Sequence, residues 1–277
     1  MIQEHPFLKD FSPGDLNDVE YARYFFAVCS FLAYGGDEIA HLFEAAGFPQ
    51  HKLISHEGAQ CHVISNRESI VWIFRGTEPT QKSDIWADLK AWKVKSEQKG
   101  LCNPMGSVHA GFKEELGKIY VDTEATIADN KKKLYITGHS LGGGMATLAA
   151  GRQRQRCVYL YTYGSPRIGN REYGFNFNVN YFRVQNNNDI VPRMPPWILG
   201  YKHIGTNVYI NHYGYIRKLG VWQTMKDKMR GHITAMLKFE FFDGMRDHRS
   251  SAYAKYMWRE WDYSRQVKSG RDSGTAS

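Results

Sequence analysis

The chain has 277 residues, of which 42% are hydrophobic and 14% aromatic, so it can bury one sizeable core. Its formal net charge of +8 at pH 7 favours solubility and permits attraction to anionic surfaces. The sequence has neither zinc-finger cysteine pairs nor an aromatic–basic RNA-binding motif, so we expect no nucleic-acid partner.

The cysteines are scattered along the chain and form no CxxC pair: they are Cys29, Cys61, Cys102 and Cys157. So few cysteines in a chain of this length do not make a disulfide framework, and we expect free thiols. No histidine or cysteine cluster has the spacing of metal ligands. We therefore expect neither a metal nor another cofactor.

The amino-terminal segment carries Glu4 and Asp10 and lacks the apolar run of a signal peptide. The longest apolar stretch, residues 24–34, is too short to span a bilayer and predicts a buried helix. We expect a cytoplasmic protein by default, with non-classical release as the alternative. One domain is expected over residues 1–265, followed by a disordered polar tail over residues 266–277.

The elements before the middle of the chain are predicted from their apolar periodicity. Residues 61–65 and 69–74 are rich in β-branched and aromatic side chains and predict a hairpin. Residues 78–94 have apolar side chains at helical spacing, and residues 116–127 predict an amphipathic helix.

Strands and a helix alternate through the centre of the chain. Strands are predicted at residues 134–137, 157–164 and 179–185, with a helix over residues 142–151 between the first two. This alternation indicates an α/β domain with a mostly parallel sheet. Residues 222–237 have helical periodicity too, which favours a surface helix packed on the sheet over one that docks on a membrane.

Residues 138–142 read GHSLG, an instance of the G-x-S-x-G pattern. In a nucleophile elbow this pattern places the serine, here Ser140, on a strained turn between a strand and a helix. The predicted strand before it and the helix after it supply that context. Free backbone N–H groups at the helix start could then stabilise an oxyanion.

A serine is inert at neutral pH without a base, and the base needs an orienting carboxylate. Asp189 follows a predicted strand downstream of Ser140, which is where the acid of this fold is expected. Spacing leaves two histidines open as the base, His203 and His248. The more carboxyl-terminal loop position favours His248.

Taken together, these motifs resemble the class 3 lipases, the fungal-lipase-like family of α/β-hydrolases, from about residue 21 to residue 256. The matching segments, in the family's order, are FRGT (residues 74–77), VHAGF (108–112), TGHSLGG (137–143), YGSPRIGN (163–170), NNDIVPRMPP (187–196), YKHIGTNVYI (201–210) and DHRSSAY (247–253).

The resemblance implies an α/β-hydrolase fold, with a central, mostly parallel sheet flanked by helices and covered by a lid helix at about residues 78–92. It implies a catalytic triad of Ser140, Asp189 and His248, and gives His203 a structural role. The backbone N–H groups of Thr77 and Leu141 would form the oxyanion hole. One departure lies in the lid, where Trp86 stands one residue closer to the following Asp-Leu pair than in the family.

The function implied is that of a carboxylic-ester hydrolase, foremost a lipase that cleaves acylglycerols through an acyl-enzyme and makes transient contact with a lipid interface. A phospholipase A1 and an esterase for soluble aryl or feruloyl esters are the alternatives with the same chemistry. The alternative of another class is an inactive lipid-binding module. No oligomeric state is predicted.

Overall fold

The structure is a computed structural model and describes residues 5–76, 92–96, 106–128, 131–216 and 247–272. Its helices are Pro6–Lys9 (α1), Val19–Leu32 (α2), Ala40–Ala45 (α3), Ala110–Ala125 (α4), Leu141–Arg152 (α5), Arg171–Asn176 (α6) and Ser250–Asp272 (α7). Its strands are Gln50–His56 (β1), Ala59–Ser65 (β2), Ser69–Phe74 (β3), Lys93–Lys95 (β4), Ser107–His109 (β5), Lys133–His139 (β6), Cys157–Tyr163 (β7), Tyr181–Asn186 (β8) and Thr206–Ile210 (β9).

The central sheet of the described residues has the strand order β1-β2-β3-β6-β7-β8-β9. The first three strands are antiparallel, and β3, β6, β7, β8 and β9 are parallel to one another. This arrangement confirms the predicted α/β class and the predicted hairpin of β2 and β3. The carboxyl ends of β6, β7 and β8 therefore meet at one edge of the sheet, where α/β proteins place their sites.

Helices cover both faces of this sheet. On one face α2 and α7 pack over a core that includes Phe26, Tyr161 and Met257, and the apolar stretch of residues 24–34 falls largely within α2. On the other face α4 and α5 pack over Trp72 and Ile136. Both faces of the central strands β3, β6 and β7 are largely buried, which is why these strands are mostly apolar.

The end of the helix predicted over residues 78–94 is wrong, because Lys93–Lys95 form β4, which pairs antiparallel with β5. Backbone hydrogen bonds to a neighbouring strand outweigh helical periodicity at the end of that segment. Residues 77–91, and the helix predicted over residues 222–237, lie outside the described residues.

The tail prediction is wrong for residues 266–272, since α7 continues to Asp272. Asp262 accepts hydrogen bonds from Arg265 and Gln266 within the helix. Lys268 Nζ reaches Asp18 Oδ2 at 2.7 Å, which ties this part of α7 to the start of α2. Pairs at helical spacing of this kind stabilise a polar helix. The single-domain division stays a prediction.

Candidate active site

Ser140 lies in the turn that joins β6 to α5, at the carboxyl edge of the parallel strands. Its backbone has φ 59° and ψ −128°, a left-handed conformation that is unusual for a residue with a side chain. Its amide N donates to the carbonyl oxygen of Tyr163 at 3.0 Å, at the end of β7. Backbone strain of this kind costs about 1–3 kcal/mol and persists only where the surroundings enforce it.

Close backbone packing explains the glycines on either side of Ser140. A Cβ atom at Gly138 would overlap the carbonyl of Gly142. A Cβ atom at Gly142 would overlap the carbonyl oxygen of Phe74 and lie 2.7 Å from the carbonyl carbon of Arg75. Backbone atoms cannot swing aside as a flexible side chain can, so both positions require glycine if the turn is to keep its shape.

The structure brings Ser140, His248 and Asp189 together in one hydrogen-bonded series. Ser140 Oγ lies 2.8 Å from His248 Nε2, and His248 Nδ1 lies 2.8 Å from Asp189 Oδ2. None of the three residues is more than 1% exposed. With Nδ1–H donating to the carboxylate, Nε2 is left to accept the serine proton, which is the arrangement of nucleophile, base and orienting acid. His248, and not His203, bridges the serine and the acid.

Further contacts hold the carboxylate of Asp189. Tyr253 on α7 donates its hydroxyl to Oδ2 at 2.6 Å, and the amide N of Val191 donates to Oδ1 at 2.9 Å. Burial, together with the charge of Asp189, holds the pKa of Tyr253 well above its usual range, so its hydroxyl stays a donor. Gly164, with φ 60°, leaves room for this pair, since a Cβ there would lie 2.8 Å from Asp189 Oδ2.

His139, next to the serine in the chain, contacts the backbone of His248. Its Nε2 lies 2.6 Å from the carbonyl oxygen of His248, and its Nδ1 lies 2.7 Å from the hydroxyl of Tyr34. These contacts fit an imidazole that donates through Nε2 and accepts at Nδ1. Sequence reasoning missed Tyr34 and Tyr253 as supporting residues. Only Tyr253 had a signal, its place in the DHRSSAY segment.

Of the two residues predicted to form the oxyanion hole, Leu141 lies within the described residues. Leu141 is the first residue of α5, where backbone N–H groups lack acceptors within the helix. Thr77 lies outside the described residues. Gly76 precedes it, and a Cβ atom at Gly76 would lie 3.1 Å from Ser140 Cβ, so the described chain before Thr77 runs alongside the turn.

Within the described ranges, no three histidine, cysteine or acidic side chains stand close enough together to hold a metal ion.

Cys29, Cys61 and Cys157 are buried free thiols, and burial raises the pKa of each thiol. None of the described helices is both long and apolar enough to cross a membrane.

Residues 71–199 match the family of class 3 lipases. A secreted mono- and diacylglycerol lipase of Fusarium solani is 37% identical over 115 residues, which are 38% of this chain and 34% of that lipase. A lipase of Rhizomucor miehei is 36% identical over 118 residues, 37% of this chain and 32% of that protein. The matched part thus spans about a third of the length of either relative.

The solved structure of a Rhizomucor miehei triacylglyceride lipase superimposes with a TM-score of 0.58 and 25% identity. The superposition covers 71% of this chain and 82% of that one, and it confirms the α/β-hydrolase fold. The prediction of a cytoplasmic protein is wrong, because the Fusarium solani relative is a secreted lipase.

Proposed function

We propose that the chain is a member of the class 3 lipase family and a serine hydrolase that cleaves the carboxylic esters of acylglycerols. One observation carries this proposal: Ser140, on a strained turn, is joined through His248 to the buried carboxylate of Asp189 by two contacts of 2.8 Å. This geometry activates a hydroxyl as a nucleophile, and it leaves a helix start beside the position of the developing oxyanion.

Acylation follows from the positions of these three side chains. His248 Nε2 takes the proton of Ser140 as Oγ attacks the ester carbonyl and forms a tetrahedral intermediate. Asp189 stabilises the imidazolium that results and keeps its Nδ1–H directed at the carboxylate. His248 then gives the proton to the leaving alcohol, and the acyl group stays on Ser140 Oγ as an ester.

Water completes the cycle on the same groups. His248 removes a proton from a water molecule that attacks the acyl-enzyme, and it returns that proton to Ser140 Oγ as the fatty acid leaves. The negative charge of both intermediates would be held by the N–H of Leu141, together with Thr77. No step requires a metal or an organic cofactor.

Apolar side chains beside the acid support a lipid substrate. Ile190 and Met194, which follow Asp189 in the chain, are 52% and 37% exposed. An acyl chain that reaches the serine can cover such side chains and remove them from water. The structural relative from Rhizomucor miehei is a triacylglyceride lipase and the relative from Fusarium solani is a mono- and diacylglycerol lipase, which agrees with an acylglycerol substrate.

The test is hydrolysis of a series of p-nitrophenyl esters, first dissolved and then presented in an emulsion, with Ser140→Ala protein as the blank. Each buried methylene is worth about 0.8 kcal/mol, so from butyrate to octanoate kcat/KM should rise by up to roughly two orders of magnitude. We expect a further rise when the longer esters form an interface.

Each other outcome points to one of the alternatives. Activity confined to short dissolved esters would indicate a soluble esterase. Preferential release of the first acyl chain of phosphatidylcholine over that of a diacylglycerol would indicate a phospholipase A1. A folded wild-type protein that turns over none of these esters would overturn the proposal in favour of an inactive binding module.

A further inference from the structure

A cleft of about 510 Å³ lies between the start of α7, the ends of β8 and β9, and the amino-terminal segment. Its volume is within the range of about 300–1,000 Å³ that small-molecule sites occupy. Of the three triad residues, which are all described, none lines this cleft. The cleft is therefore a second recess, distinct from the candidate active site. Its charged and amide side chains include Asn187, Asn211, Asp247, Arg249 and Lys255.

Two asparagine side chains in the wall of the cleft have unused donors. Asn187 Oδ1 accepts from the hydroxyl of Tyr209 at 3.3 Å, and Asn211 Oδ1 accepts from the amide N of Tyr213 and of Tyr215 at 3.0 Å. Among the described residues neither Nδ2 has an acceptor, although the two asparagines are only 4% and 6% exposed. Neither nitrogen is sealed from solvent, so an acceptor can reach both from the cleft that they line. An oxygen of a bound ligand would satisfy these donors.

Two cationic side chains stand at the exposed side of the same cleft. Arg249 directly precedes α7, and Lys255 lies in the second turn of that helix. Within the described ranges, neither the guanidinium nor the ammonium group has a hydrogen-bond or ion-pair partner. The one carboxylate in the lining is that of Asp247, whose Oδ2 accepts from the amide N of Asn188 at 3.0 Å. Positive charge therefore exceeds negative charge around the cleft.

The start of α7 adds a favourable field for an anion. The helix has 23 residues, and the backbone N–H groups of its first turn lack acceptors within the helix. The helix dipole places partial positive charge at this end. Ser251, in that first turn, lines the cleft. The amide donors, the two cations and the helix start thus favour one kind of ligand group, a negatively charged oxygen group.

Aromatic side chains form the rest of the wall. Tyr256 and Trp258 are partly buried on α7, and Phe7 is buried on α1. Trp258 Nε1 donates to Asp10 Oδ2 at 2.8 Å, which fixes the indole ring. The ring of His5 stacks on that of Phe7 with 4.9 Å between their centroids. Such a wall suits the apolar part of an organic molecule, which an inorganic ion lacks.

We propose that this cleft binds a phosphate or carboxylate group carried by an organic molecule. Its oxygens would lie against Asn211, Arg249 and Lys255, and its apolar part against Tyr256 and Trp258. Hydrogen bonds from arginine and lysine to such oxygens are among the strong ones in proteins. The inference does not rest on the proposed hydrolysis, because binding cleaves no bond and the cleft contains none of the triad.

The cleft adjoins the segments that carry the acid and the base of the triad. Asn186, which lines the cleft, donates its Nδ2 to the carbonyl oxygen of Asp247 at 2.9 Å, directly before His248. A ligand in the cleft would hold these segments together without contact with the reacting groups. We therefore expect it to raise the Tm of the protein and not to compete with the ester.

Calorimetric titration of the full-length protein tests the inference with four probes: phenyl phosphate, benzoate, inorganic phosphate and phenol. Inorganic phosphate lacks the apolar part, and phenol lacks the charge at neutral pH. We expect saturable binding of phenyl phosphate and benzoate, the tighter of which identifies the oxygen group. Inorganic phosphate and phenol should bind about tenfold more weakly or less, and binding of the anions should weaken as the salt concentration rises.

Asn211→Asp is the most selective variant, because an aspartate keeps the Oδ1 contacts of Asn211 and replaces the Nδ2 donor with a charged oxygen. It should weaken binding of phenyl phosphate by more than about tenfold. Lys255→Gln should weaken it about tenfold. Lys52→Gln, the same change on the edge strand β1, should leave binding within about twofold of the wild type.

Thermal unfolding without ligand checks that each variant is folded. The inference would be overturned if Lys255→Gln bound phenyl phosphate as well as Lys52→Gln, if phenyl phosphate competed with a dissolved ester, or if inorganic phosphate bound as tightly as phenyl phosphate. A protein that binds phenyl phosphate as described but hydrolyses no ester would refute the proposed function and leave this inference standing.

Discussion

Asp189→Asn is expected to lower kcat for ester hydrolysis by about four orders of magnitude while the protein stays folded. The change replaces one oxygen with an NH₂ group of nearly the same size, so packing is preserved. The carboxylate is fully buried, and it holds His248 Nδ1 at 2.8 Å. What changes is the direction of the hydrogen bonds at the Oδ2 position, which contacts both His248 Nδ1 and the hydroxyl of Tyr253.

The contacts of Asp189 decide which way the new amide turns. Val191 donates its N–H to Oδ1, so that position must remain an oxygen. The NH₂ group then stands at the Oδ2 position, where it donates to His248 Nδ1, and the hydroxyl of Tyr253 must turn its proton away from it. The proton of the imidazole is displaced to Nε2, which can no longer accept the proton of Ser140.

Asp247→Asn provides the matched control, because Asp247 precedes His248 and its carboxylate accepts from the amide N of Asn188 at 3.0 Å. It should stay within about tenfold of the wild type, since one such hydrogen bond is worth about 1 kcal/mol. Single-turnover and steady-state rates on one ester give the comparison. If Asp247→Asn loses the larger share of activity, the acid has been wrongly assigned.

Gly142→Ala is expected to cause the largest loss of stability of any single methyl group added at the site. The new Cβ would overlap the carbonyl oxygen of Phe74 and press on the carbonyl carbon of Arg75. The end of β3 and the start of α5 would have to separate. Overpacking against immobile atoms costs about 3 kcal/mol or more, and we expect the free energy of unfolding in urea to fall by that amount.

Gly117→Ala is the control for this change. Gly117 lies on α4, and a Cβ atom there would meet nothing within 4 Å. Alanine is the better helix former, so the free energy of unfolding should rise by about 0.5–1 kcal/mol. Equal stability of the two variants would mean that the turn is not packed as described.

Sequence patterns predicted the parts of the fold that depend on local chemistry. The glycines beside Ser140 could be predicted because close backbone contacts require them. The strands before and after Ser140 could be predicted because burial makes them apolar. The edge strand β1 was missed, since Ile54 is its one buried residue and its exposed positions are polar. An edge strand of this kind carries little apolar periodicity.

The supports of the site depend on contacts between distant parts of the chain. Tyr34 follows α2 and reaches His139 more than a hundred residues later, and nothing local marks it. The choice between His203 and His248 was open to spacing alone, and the resemblance to class 3 lipases favoured His248. In the structure His248 is the residue in contact with both Ser140 and Asp189.

The assignment of Ser140 as the nucleophile is tested by reacting the protein with an alkyl fluorophosphonate and locating the adduct by mass spectrometry of its peptides. We expect one adduct, on Ser140 Oγ, formed in proportion to the loss of ester hydrolysis and absent from Ser140→Ala protein. An adduct on another residue, or full hydrolysis by protein that carries the adduct on Ser140, would contradict it.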